Sequence, residues 1–104
     1  MLNKYMAECH RANKGFWHKP DGSGIVRNKG ELLMLIVQDI AEAWLAEQRG
    51  LRDVDTKRSV VELKLMDAMI RIFEYASASK FDLDIAFEER MKLRAPQAGP
   101  PEAA

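Results

Sequence analysis

The stretch Lys29–Arg49 constrains this chain more than any other, because read as a helix it is apolar on two opposite sides. Leu32, Leu35, Ile36, Ala43 and Ala46 gather around Asp39. Leu33, Met34, Val37, Ala41 and Trp44 make up the far side. A helix greasy on both sides must be covered on both sides. It is therefore expected at the centre of a bundle or in a subunit interface, and at least a homodimer is expected.

The remaining pattern is helical, without strand alternation or internal repeat. A first helix is expected over Leu2–Ala12, followed by a loop from Asn13 to Asn28 broken by Gly15, Pro20, Gly22 and Gly24. The central helix ends where Gly50 supplies a left-handed C′ residue. A polar connection, Leu51–Lys57, leads to a third helix over about Arg58–Ser79. Its apolar arc is read through Val61, Leu65, Met69, Ile72, Phe73 and Ala76. Lys64, Asp67, Arg71 and Glu74 follow at spacings of three and four, a pattern typical of a solvated face. The fourth helix starts at Asp82 as N-cap, with Phe81 as a hydrophobic staple, and ends near Arg94 because Pro96 cannot continue it. The expectation is an all-α, four-helix domain over residues 1–95 and a disordered Pro/Ala tail over 96–104.

Sixteen basic residues balance sixteen acidic ones, so no nucleic-acid polymer or membrane surface is favoured as partner. No apolar run reaches membrane-spanning length, and the first residues carry Lys4, Glu8 and Arg11 where a signal sequence needs an apolar stretch. Cys9 is the single cysteine, which suits a reducing cytoplasm. Cys9 reads as a packed thiol, and His10 and His18 as isolated residues without zinc spacing. Met34, Met66, Met69 and Met91 fall at core spacings.

The candidate chemistry lies in acids. Asp39 and Glu42 are one turn apart on the central helix, and Asp67 stands on the next, three residues after Lys64. Facing helices that each present acids at i and i+3 are one way a bundle builds a divalent-metal site. A carboxylate on an apolar face must be paired, protonated or metal-bound. Asp39 is thus a metal ligand, the partner of a cation such as Arg71 or Lys64, or a polar contact at a subunit interface. In the loop, Trp17 and Lys19 could meet a base and a phosphate, although Phe16 and Trp17 better suit anchoring the loop to the bundle.

The segments ELLMLIVQDIAEA (Glu31–Ala43) and ELKLMDAMIRI (Glu62–Ile72) resemble the MazG-like all-α nucleoside triphosphate pyrophosphohydrolases, whose pattern is E-E-x-x-E on one helix and E-x-x-D on the next. The resemblance spans about residues 15–94, including Gly15-Phe-Trp, Arg27-Asn-Lys-Gly and the opening of the last helix, Asp82–Met91. It implies Asp39, Glu42 and Asp67 as Mg²⁺ ligands, Arg90 as a phosphate contact and dimeric or tetrameric assembly. Two positions depart from the pattern. Gln38 stands where a carboxylate could activate water, and Lys64 where the E-x-x-D glutamate belongs; Glu62 points elsewhere on the helix. Arg94 replaces a customary asparagine. An ammonium in place of a carboxylate changes the local charge by two units, and Lys64 could then contact a phosphate oxygen instead. The expected function is Mg²⁺-dependent hydrolysis of a (d)NTP or modified nucleotide to monophosphate and pyrophosphate, weakened by Gln38 and Lys64. Its general base is unassigned. The alternative is a non-catalytic nucleotide-binding or regulatory helical oligomer.

Overall fold

The computed structural model describes residues 1–97, with side chains through Arg94. The chain is all-α: α1 (Leu2–Ala12), α2 (Lys14–Trp17), α3 (Lys29–Arg49), α4 (Val60–Ala78) and α5 (Leu83–Gln97). Helix borders follow local chemistry. The Asn28 side chain accepts the Glu31 N–H at the start of α3 (3.0 Å), and Ser59 Oγ accepts the Glu62 N–H at the start of α4 (3.2 Å). Gly50 closes α3 in the left-handed conformation (φ 61°), as expected, and Asp82 Oδ1 caps α5 by accepting the Ile85 N–H (3.1 Å).

Two expectations change. The loop after α1 contains a helical turn, α2, which seats Phe16 and Trp17. The last helix continues past Arg94 to Gln97 and takes Pro96 into its final turn, although the proline has no N–H to offer the carbonyl four residues before it. The expected disordered tail otherwise lies outside the described residues.

α4 is the hub. It packs along α3 on one side and α1 on the other, while α5 returns to α1. Asn3 Oδ1 accepts the Leu83 N–H (3.0 Å), and the Met1 amino group meets Asp84 (3.1 Å), tying the first helix to the last. The small core consists of Met6, Phe73 and Ala76, extended by Leu2, Cys9 and Leu83. Where α3 crosses α4 the buried apolar residues are Ala43, Ala46 and Ala68.

The apolar arc read on α4 is therefore corrected. Leu65, Met69 and Ile72 are exposed, as are Met34, Met66 and Met91, while Ala68, Phe73, Glu74 and Ala76 are buried. Three small residues, Ala43, Ala46 and Ala68, with charges paired beside them, bring the helices together where larger side chains would hold them apart. No helix among the described residues is long and apolar enough to cross a membrane.

Candidate functional site

The seam between α3 and α4 collects the acids, together with two cations. Asp39, 5% exposed, accepts a hydrogen bond from Arg71 Nε through Oδ2 at 2.7 Å. One and two turns along, Lys64 Nζ from α4 bridges to Glu42 Oε2 and lies 4.0 Å from Asp67 Oδ2. Gln38 Nε2 donates to the other Glu42 oxygen at 3.0 Å. The charges on α4 that read as a solvated ladder thus include two arms, Lys64 and Arg71, that reach across to α3. Buried Asp39 requires one of them, since a lone carboxylate there would cost several kcal/mol.

These contacts set the protonation of the exposed pair. The Lys64 ammonium, then the Gln38 amide, hold the Glu42 carboxyl below the usual glutamate range. The same Glu42 hydrogen bond raises Lys64 above the usual lysine range.

For a divalent cation the donors are present but committed. Asp39, Glu42 and Asp67 supply three negative charges, and Lys64 and Arg71 cancel two of them. Asp67 points half into solvent. Among the described residues no group of three carboxylates, histidines or cysteines is arranged to hold an ion. In this pairing the seam does not fit Mg²⁺.

Arg71 also belongs to a second feature. A cavity of about 130 Å³ opens between α2, α3 and α4, lined by Asn13, Phe16, Trp17, Leu32, Arg71, Glu74 and Tyr75. Its shape is maintained by Glu74, a buried carboxylate whose Oε1 accepts from Asn13 Nδ2 (2.7 Å) and from Trp17 Nε1 (3.0 Å). Phe16 meets Trp17 edge-on, with ring centroids 4.9 Å apart, and the Arg27 guanidinium covers the Phe16 ring at 4.0 Å. Arg27 also donates to the Phe16 carbonyl (2.8 Å), fixing the turn. The cavity thus combines aromatic walls, one buried carboxylate and a half-exposed guanidinium at its edge, a lining that could take a flat ring carrying an anionic group.

Trp17 was read from sequence and does line this cavity, and its buried ring anchors the loop as well. Lys19 and Arg90 are not brought to it. Lys19 stands exposed beside Pro20 and Gly22, and Arg90 is exposed on α5, which packs chiefly on α1. Glu74 and Asn13 escaped the sequence reading, because Glu74 continues a run of alternating charges and only the docking of α2 buries it. The histidines are corrected too. His10 and His18 are not isolated, since their Nε2 atoms lie 2.9 Å apart, with His10 stacked on Trp17. Cys9 is half-buried at the core, and its thiol is pushed up by that burial and by the nearby Glu74 and Glu8 carboxylates.

Comparison with protein-family models, curated proteins and solved structures gives no match for this chain.

Proposed function

We propose that the protein is a non-catalytic helical binding module for a nucleotide-like ligand, with the ring held in the cavity beside Trp17 and the anionic group on Arg71. The observation that carries this reading is the continuity of the aromatic cavity with the ion-paired seam through Arg71. A volume near 130 Å³ is on the scale of one six-membered ring, since an apolar cavity of about 150 Å³ accommodates benzene. Sugar and phosphates would lie outside, towards Arg71. The MazG-like resemblance supports the same ligand class. Lys64 and Gln38 are the reasons for reading the chain as one that has lost Mg²⁺-dependent hydrolysis.

One observation favours a second reading, a weakened pyrophosphohydrolase. Asp39, Glu42 and Asp67 share one seam, and Lys64 is the cation lying between two of them. The two readings separate in a paired experiment. Titration of a panel of (d)NTPs by calorimetry, with Mg²⁺ or with chelator, reports binding, and pyrophosphate release reports turnover. The binding module binds without Mg²⁺, releases no pyrophosphate, and loses affinity in Arg71→Lys. Turnover by the wild-type chain, or its appearance in Lys64→Glu, favours the weakened enzyme. Absence of binding with and without Mg²⁺ removes both.

A further inference from the structure

We infer that a second cavity, next to the one beside Trp17, is a phosphate site formed by Arg27, Lys29 and Ser79. The inference rests on the binding-module reading for the ring and deepens it, naming the ligand class as a phosphate ester or anhydride. This second cavity, of about 180 Å³, shares a wall of Trp17, Leu32 and Tyr75 with the first.

The two cavities differ in charge. In the first, Arg71 is already paired with Asp39, and Glu74 adds a buried carboxylate. The second is lined by two cations and, among the described residues, by no carboxylate. Neither cation forms an ion pair among the described residues. Arg27 is held in place by Nε and Nη2, which donate to the Phe16 carbonyl at 3.1 and 2.8 Å. Its Nη1 is left to meet a ligand. Ser79, at the end of α4, brings a buried Oγ that has no hydrogen-bond partner. Two cations and a hydroxyl suit a phosphate, whose oxygens accept from several directions, better than a flat carboxylate.

Structural duty does not account for Lys29. It is the first residue of α3, where the helix field disfavours a cation. It is not needed to close α4 either, since the Tyr75, Ala76 and Ser77 carbonyls already accept the Ser79, Phe81 and Lys80 N–H groups. Its Nζ lies 5.9 Å from the centre of the Tyr75 ring, at the outer limit of a cation–π contact. An anion in the cavity accounts for a lysine that the helix field opposes and no carboxylate offsets.

The probe is inorganic pyrophosphate, added with chelator to the full chain at constant ionic strength and followed by calorimetry and thermal melting. It should bind the wild type and raise its melting temperature, and bind Lys29→Gln roughly tenfold more weakly. Ser79→Ala should also bind it more weakly. Lys92→Gln, which removes an exposed lysine of α5, should bind it as the wild type does. Without anion, Lys29→Gln should melt no lower than the wild type, because a cation leaves a helix N-terminus. No binding by the wild type overturns the inference, as does equal binding by Lys29→Gln. An equal loss in Lys92→Gln, the mark of diffuse charge attraction, overturns it too. A (d)NTP titration separates this site from the ring reading. If Lys29→Gln lowers (d)NTP affinity and Arg71→Lys does not, the phosphate site stands and the ring reading falls. If the reverse holds, the phosphate site alone falls.

Discussion

The two faces of α3 are built from opposite materials. The face packed on α4 is lined by Ala43, Ala46 and the Asp39 carboxylate, all buried, while the open face carries Leu33, Val37, Ile40 and Trp44. By hydropathy alone the burial would be reversed. The inner face is chosen by closeness of approach and by charge: small side chains let α4 come near, and Asp39 finds Arg71 there. The outer face keeps its large apolar side chains exposed among the described residues. Small residues therefore mark where the chain folds on itself, and the large ones on this helix are left exposed.

Breaking the inner face should cost most. Arg71→Ala leaves Asp39 buried without its partner; allowing for the half-exposed guanidinium, the loss should be about 2–3 kcal/mol in urea unfolding at neutral pH. Ala46→Leu, a gain of apolar volume on the same face, should lower stability by about 2 kcal/mol through overpacking, although hydropathy alone predicts a gain. Glu74→Ala tests the cavity wall. Removing the acceptor of Trp17 and Asn13 should cost about 1–2 kcal/mol and shift Trp17 fluorescence to the red in a Trp44→Phe background. On the outer face, Trp44→Ser should change stability by no more than about 0.5 kcal/mol.

The pH response of the seam sharpens the same contrast. Glu42 is depressed, so its contribution is present above the ordinary glutamate pKa and lost as pH falls through the depressed value. Lys64 is raised, so its contribution is present below the ordinary lysine pKa and lost as pH rises through the raised value. The urea midpoint should show a plateau between these limits. Lys64→Met should make its acid limb shallower, while outer-face substitutions leave that limb unchanged.

Local signals were legible where the backbone itself needs a particular residue. Gly50 and Asp82 marked helix ends before any tertiary contact was known, and the extent of α1 and α3 followed from apolar period. Choices made by packing were not legible. A period of 3.6 residues shows two apolar faces on α3 without saying which one α4 covers. On α4, the ladder Lys64, Asp67, Arg71, Glu74 has the spacing of a solvated face. Three of its members change role once α3 and α2 arrive, two as cross-helix cations and one as a buried acceptor. Within the candidate site, the acids on α3 were found because a carboxylate in an apolar run conflicts with its surroundings. Glu74 raised no such conflict in the sequence, and Arg90 and Lys19 were carried only by resemblance and composition.

The central claim is that a ring-bearing anion binds beside Trp17 and on Arg71 while the seam acids stay committed to their cations. Calorimetric titration of a (d)NTP, once with Mg²⁺ and once with chelator, tests it most directly. The same affinity is expected in both titrations, with a large loss of it in Arg71→Lys. Binding that appears only with Mg²⁺, accompanied by pyrophosphate release, would contradict it.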